Sequence, residues 1–181
     1  MRVITGTARG RKLKTPANYD VRPTTDNVKE SVFNILTNDV EGRTVLDLFS
    51  GTGQMGIEAL SRGAKSAVFV DHDMASVKLT KENLQLCRFE ATVVKSDALA
   101  YLKTCGKGKF DLIFIDPPYD SPLYEEVLSA INRFDILSVG GIIIVESHVD
   151  KDIPDMEPPY KKLKTYKYGR VKITSFTKEQ T

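Results

Sequence analysis

The segment DLIFIDPPYD (111–120) runs four apolar residues, Leu112 to Ile115, directly into Asp116, Pro117, Pro118 and Tyr119. An acid, a stiff proline pair and an aromatic ring at the tip of a buried strand suit methylation of the exocyclic amine of a base. That nitrogen is a poor nucleophile because its lone pair is delocalised into the ring. Acceptors on its two N–H groups, the Asp116 carboxylate and the Pro117 carbonyl, would draw it toward a tetrahedral geometry and free the lone pair to attack a methyl group. The prolines need no amide donors and fix their own torsions, which keeps the tip rigid. Tyr119 offers a face for a flipped base, an interaction of roughly 1–3 kcal/mol that offsets much of the cost of extrusion. Catalysis of this kind is mainly positioning and electrostatics, with proton loss after the transfer. These residues do not choose the amine: adenine in DNA, adenine or guanine in RNA, and a glutamine side chain are all compatible with such a tip.

A second constellation, DLFSGTGQMG (47–56), has GxGxxG spacing at Gly51, Gly53 and Gly56. In dinucleotide-binding folds such glycines let the backbone approach a pyrophosphate at a helix N-terminus. Here Asp47 closes the preceding strand, where a carboxylate repels a diphosphate but attracts an ammonium or a sulfonium. The loop therefore favours S-adenosylmethionine over a nicotinamide dinucleotide, with Phe49 and Ser50 among the expected contacts. Asp71 in VFVDHD, with His72 beside it, ends the next strand and is suited to ribose hydroxyls. In SDA (96–98), Asp97 could accept from an adenine amino group, with Ala98 adjacent. Asp71, Asp73 and Asp97 are equally able to cap helices.

These groups need a sheet to hold them. TVLDLF (44–49), SAVFVD (66–71), ATVVK (91–95), FDLIFID (110–116) and GGIIIVES (140–147) read as strands. Between them lie helical patterns: QMGIEALSRG (54–63), about Met74 to Leu86 with Leu79 and Leu86 on one face, a short helix through Leu99 and Leu102, and one through Val127, Leu128 and Ile131. Five β-α units in series imply a parallel sheet with right-handed crossovers and helices on both faces. YKKLKTYKYGRVKITSF (160–176) alternates around a turn near Tyr168 to Arg170, predicting an antiparallel hairpin at the sheet edge. At the front, RVIT and RKLK frame a turn at Gly6 to Gly10. TTDNVKESVFNIL then forms a helix with an apolar stripe at Val28, Val32, Ile35 and Leu36.

The chain has 181 residues, enough for one core without covalent staples. No apolar run approaches the roughly 18 residues of a membrane span, and the charged start lacks the apolar stretch of a secretory signal, so a cytosolic protein is expected. Cys87 and Cys105 have no metal-like spacing and read as free thiols. His72 and His148 cannot make a structural zinc site, and no serine elbow accompanies them. No metal is therefore expected, and nothing resembles an obligate dimer surface, so a monomer is expected. The net charge of +2 conceals a division. Residues 1–22 carry six basic side chains, among them Arg9, Arg11, Lys12 and Arg22, against Asp20. Residues 160–181 carry seven, among them Lys164, Lys167 and Arg170, against Glu179. Basic ends around an acidic middle suit a polyanion held by the ends and a cationic or neutral ligand in the centre. Glutamine-modifying enzymes need no such arms.

Taken together, MRVITGTARGRKL, RPTTDNVKESVFNIL, DLFSGTGQMGIEALSRGA, VFVDHD, FDLIFIDPPY and IIIVES resemble the RsmD family over nearly the whole chain. The glycine loop and the proline tip occur in many methyltransferases; the ARGRKL turn joined to RPTTDNVKESVFN is more specific. Lys29 stands where arginine is common and Tyr119 where phenylalanine is frequent, and both keep the charge or the stacking face. The resemblance implies a Rossmann-like class I S-adenosylmethionine-dependent methyltransferase with a seven-stranded, mostly parallel sheet. It further implies a single domain over 1–181, with a basic hairpin arm at 1–22 and a catalytic core at 24–181. The implied reaction is methylation of a guanine exocyclic amine in small-subunit (16S) ribosomal RNA, within the small subunit. Asp47, Gly51 and Gly53 would surround the methionine part of the cofactor, Asp71 the ribose, Asp97 the adenine, and Asp116 to Tyr119 the base. Arg9, Arg11 and Lys12 would form a flexible clamp on phosphates, with Arg22 closer to the pocket. An adenine-specific enzyme or a noncatalytic assembly protein are the alternatives; the first normally adds a recognition domain, and the second would be expected to lose Asp116 or the glycine loop.

Overall fold

A computed structural model describes residues 1–16, 25–37, 39–118 and 121–180. The elements run α1 (Asp26–Leu36), β1 (Thr44–Asp47), α2 (Gln54–Ser61), β2 (Ser66–Asp71), α3 (Met74–Cys87), β3 (Thr92–Lys95), α4 (Ala98–Leu102), β4 (Phe110–Ile115), α5 (Leu123–Phe134), β5 (Leu137–His148), β6 (Tyr160–Tyr168) and β7 (Val171–Lys178). They build one seven-stranded sheet in the order β3-β2-β1-β4-β5-β7-β6. β1 to β5 pair in parallel, and β7 is antiparallel to both β5 and β6. The strand order reverses between β1 and β4, and an open α/β sheet of this kind binds ligands at the carboxyl ends of the strands flanking that point.

Period-two alternation sorts each apolar run between two cores. Val45, Phe69, Leu112, Phe114 and Ile144 face α1, α2 and α3, where Phe33, Leu36, Ile57 and Leu84 meet them. Leu46, Val70, Ile113, Ile115, Ile143 and Val145 face the opposite side, packing with Leu102, Val127, Leu128 and Ile131 of α4 and α5. Burial on both faces is why these strands read as continuous apolar runs.

Two helix faces differ from the sequence expectation. On α3 the buried residues are Val77, Thr80, Asn83, Leu84 and Cys87, whereas Leu86 is exposed and Leu79 only half-buried. On α1, Lys29 and Phe33 are buried with Val28, Val32 and Leu36, and Ile35 is half-buried. β1 also ends at Asp47, two residues before the expected limit, and β5 starts earlier, at Leu137, with a register shift around Gly140 and Gly141.

The expected flexible arm is in fact docked. Arg2 bridges Lys12, and Val3, Ala8 and Leu13 are buried in the core formed with α1 to α3. The fully buried Glu58 of α2 is the organising group. Its carboxylate accepts from the amides of Ile4 (2.8 Å) and Thr5 (3.0 Å) and from Arg62 Nε (2.9 Å), with Lys29 Nζ at 3.8 Å. Burial lowers the Lys29 pKa, and Glu58 opposes that shift; its ammonium also donates to the Arg2 carbonyl at 2.6 Å. Ser61, the last residue of α2, accepts from the Thr7 amide through its carbonyl and from the Ala8 amide through its hydroxyl.

Gly6 lets this contact form. It sits at φ +86°, and a methyl group on it would lie 1.7 Å from the Ser61 carbonyl oxygen. Gly6→Ala is expected to destabilise the fold by about 2–3 kcal/mol through overpacking and left-handed strain. Denaturant titration checks this; an unchanged midpoint would show that the arm is not part of the cooperative unit.

Candidate active site

Four neighbouring strands end in acids at one edge of the sheet. Asp47 closes β1, Asp71 closes β2 and Asp116 follows β4. Glu146 belongs to β5, and because Ile115 pairs with Val145 the two acids that follow, Asp116 and Glu146, lie side by side. Asp47 pairs in register with Phe69 and Phe114, which puts it between the Asp71 and Asp116 strands.

The glycine loop turns two of its amides toward these acids and two of its carbonyls toward α3. Gly51 N–H donates to Asp71 Oδ2 (2.8 Å), and Gly56 N–H, at the start of α2, donates to Asp47 Oδ2 (2.9 Å). Thr80 Oγ1 donates to the Gly51 carbonyl and Asn83 Nδ2 to the Thr52 carbonyl, both at 2.9 Å. The glycines have separate reasons. Gly53 is left-handed at φ +77° and packs against Thr80, and a methyl group on Gly56 would meet the Phe69 ring at 2.3 Å. Gly51, also left-handed, faces open space with nothing within 4 Å of where a side chain would begin. The buried hydroxyl of Ser50 has no hydrogen-bond partner among the described residues. A loop with one open glycine and one unsatisfied buried hydroxyl beside an acid is a cradle for a polar ligand.

Electrostatics set the sign of that ligand. Asp47 is 4% exposed, and burial pushes its carboxyl up to about 7, with Asp71 adding to the rise and the Gly56 amide opposing it. Asp116 is raised well above the usual carboxylate range, first by burial and then by the charges of Glu146 and Asp47. Carboxylates crowded in a poorly hydrated site hold protons until a cation replaces them. Such a cluster of acids favours a cationic ligand over a diphosphate.

Other expected residues have mixed positions. Pro117 is buried and Pro118 exposed at the strand tip; Tyr119 lies outside the described residues, as does Arg22. Asp71 also accepts from the Asp73 amide (2.9 Å), and the exposed His72 has Nδ1 3.7 Å from Asp71 Oδ1. Phe49 is half-buried against the α4–α5 core. Asp73 caps α3 through the Ser76 amide, and Asp97 caps α4 through the Ala100 amide (3.0 Å), with the buried Ala98 the next residue in the chain. The capping role of Asp97 is thus realised through one carboxylate oxygen, Oδ1. Arg9, Arg11 and Lys12 are exposed, but the structure does not bring them to the strand tips. Their turn packs on Ser61, about 11 Å along α2 from the glycine loop. Arg11 Nη1 donates to the Leu86 carbonyl (3.0 Å), satisfying the last turn of α3.

Glu146 and Asn83 were missed. The first carries the same signature as Asp47 and Asp116, an acid ending an apolar run, and could have been found by applying that signature to IIIVES. Asn83 is fully buried; it accepts from the Lys14 amide (2.7 Å), donates to the Lys14 carbonyl (3.1 Å) and holds Thr52. It ties the end of the arm to the glycine loop. Asn83→Ala leaves these three backbone groups unpaired and is expected to cost about 2–3 kcal/mol of stability and to speed amide exchange at 51–53. Exchange unchanged at those amides would show that the loop holds itself.

A family model described as Conserved hypothetical protein 95 matches residues 1–177. The chain is 40% identical over 159 residues to YlbH of Bacillus subtilis (strain 168), covering 86% of each. It is 38% identical over 155 residues to Ribosomal RNA small subunit methyltransferase D of Escherichia coli (strain K12), covering 85% of this chain and 78% of the relative. The solved structure of Escherichia coli yhhF superposes with a TM-score of 0.88 at 33% identity, covering 99% of this chain and 98% of that one. Sheet order, glycine loop and acidic strand tips give the fold of the class I S-adenosylmethionine-dependent methyltransferases, and the chain belongs to the RsmD family.

Proposed function

We propose that this protein transfers a methyl group from S-adenosylmethionine to the exocyclic amino group (N2) of a guanine in small-subunit ribosomal RNA. The observation that carries the reading is the adjacency of β1 and β4: a buried acid above the glycine loop stands next to the Asp116-Pro117-Pro118 tip. A cation-binding pocket and an amine-binding tip thereby share one edge. The name of the Escherichia coli relative, a small-subunit ribosomal RNA methyltransferase, supports the substrate class.

The residues present fit the cofactor. Asp47 would hold its ammonium, the open face at Gly51 and the Ser50 hydroxyl would line the methionine part, Asp71 would take the ribose, and Asp97 the adenine. When bound, the cofactor supplies a methyl group on a positively charged sulfur. Asp116 and the Pro117 carbonyl then accept the two N–H bonds of the target amine and orient its lone pair. Nearby positive charge favours the ionised form of Asp116, which is the form able to accept. Once the methyl has moved, the nitrogen carries the positive charge and must lose a proton. Asp116, made a stronger base than an ordinary carboxylate first by burial and then by the charges of Glu146 and Asp47, can take that proton at Oδ.

The test is transfer of labelled methyl to ribosomal RNA and to small subunits lacking the modification, followed by nucleoside mass spectrometry. N2-methylguanosine is the expected product, and comparison of the two substrates tells whether RNA or the assembled particle is used. Methyladenosine would replace the base in this reading, and label on neither substrate would remove RNA methylation altogether.

A further inference from the structure

The β6–β7 turn stands at the ligand edge of the sheet. β5 runs parallel to β4, its last residue His148 pairs with Val171, and the Val149 amide donates to the Arg170 carbonyl (2.9 Å). The turn at Gly169 and Arg170 therefore projects from the same edge as Asp116 and Glu146. Glu146 pairs with Ile173, three residues from Arg170, so the turn lies about 10 Å along the strand from the acidic cluster. Tyr168 and Val171, packed against the α1–α3 core, hold its base rigid.

Charges along this hairpin are sorted by position. Away from the turn, the basic residues have acidic partners: Lys161 with Glu179 (3.1 Å), Lys162 with Asp155 (2.7 Å) and Lys178 with Asp135 (2.6 Å). Toward the turn, Lys164, Lys167 and Arg170 are exposed and form no ion pair among the described residues. Lysines on an outer strand also discourage edge pairing, but that purpose is served equally at both ends and does not account for the sorting. Asp150, next to the Val149 amide that bonds Arg170, lies against His148 at 3.4 Å. The other basic turn, at Arg9 to Lys12, is packed at the far end of α2, away from the strand tips.

We propose that Lys167 and Arg170, with Lys164 behind them, bind the phosphates of the RNA strand that presents its base to Asp116. This rests on RNA being the substrate. Phosphate contacts of this kind fix the position of the strand and give affinity without base specificity. The arm turn would then contact RNA farther from the target nucleotide.

The test compares wild type with Lys167→Ala/Arg170→Ala and with Lys167→Glu/Arg170→Glu, measuring RNA binding, methyl transfer and cofactor binding over a salt series. The alanine pair is expected to raise the KM for small subunits about tenfold and to reduce the slope of log affinity against log salt by about 1.4, as for two lost contacts to a single strand. The glutamate pair should weaken binding further. In both, kcat and cofactor affinity stay at wild-type values, and Lys161→Ala, at the other end of the hairpin, behaves as wild type. A KM and salt slope unchanged in the double variants, while wild type methylates RNA, overturn the proposal and leave the function standing. Absence of RNA binding by wild type overturns both, and a parallel loss of cofactor binding would reassign the turn to holding the pocket.

Discussion

Asp116→Ala is expected to lower methyl transfer by about 10³-fold while cofactor affinity changes less than about threefold. The asymmetry follows from position. Asp116 follows β4, one strand away from Asp47, and the hydrogen bonds that shape the glycine loop involve Asp47, Asp71, Thr80 and Asn83. Among the described residues none involves Asp116. Asp116→Asn refines the result, because an amide oxygen still accepts an N–H bond but cannot take the proton that the methylated nitrogen loses. If Asn retains most of the activity, orientation dominates; if it is as inactive as Ala, proton acceptance does. Equal loss of transfer and cofactor binding in the alanine variant would refute the assigned role. Single-turnover transfer and equilibrium titration of the cofactor separate the two quantities.

Asp47→Asn is expected to weaken cofactor binding by about 10- to 100-fold at pH 8, the worth of a charge-assisted hydrogen bond, and to stabilise the ligand-free protein there. The stability sign comes from linkage. The folded carboxyl is raised to about 7 from the ordinary 3.8, so its contribution to stability is fully present below about pH 4 and is lost as pH rises through 7. Asparagine keeps an oxygen for the Gly56 amide without the buried charge, so the variant should gain roughly 2–4 kcal/mol over wild type at pH 8 and little at pH 4. Cofactor affinity of the wild type runs the other way, falling about tenfold per unit as pH drops below 7, because a protonated Asp47 cannot hold an ammonium. The variant should lack this dependence. Unfolding and titration at pH 5, 6, 7 and 8 check both; an affinity that is flat with pH in the wild type would take the ammonium away from Asp47.

The two basic regions divide in space what they share in composition. Lysine and arginine at both ends of the chain suggest two grips on one polyanion, but the structure anchors the front turn to α2 and α3 and leaves the β6–β7 turn beside the acidic cluster. A substrate touching both would span the length of α2 as well as the sheet edge, which suits a structured RNA better than a short strand.

The strand tips were legible in the sequence because strands buried on both faces run through apolar residues over their central and final stretches, as Leu112 to Ile115 do in β4. An acid after such a run, as at Asp47, Asp71 and Asp116, therefore marks both a boundary and a site. The terminal hairpin was legible for the complementary reason, since alternating side chains and Gly169 signal pairing with one covered face and a turn. The buried polar contacts were not legible. Glu58 meets Ile4 and Thr5 more than 50 residues away, and Asn83 meets Lys14 and Thr52. On α3 an apolar criterion selected Leu79 and Leu86, whereas the helix turned Thr80 and Asn83 inward to satisfy loop carbonyls. By itself, then, the sequence determined the parallel sheet, the acidic tips and the chemistry they can support, because hydrophobic burial acts on local, periodic patterns. The docked arm, the Asp116–Glu146 pair and the position of each basic turn were decided by tertiary structure. A buried hydrogen-bonding group takes its partner from whatever the fold brings near, and that distance is set by packing rather than by spacing along the chain.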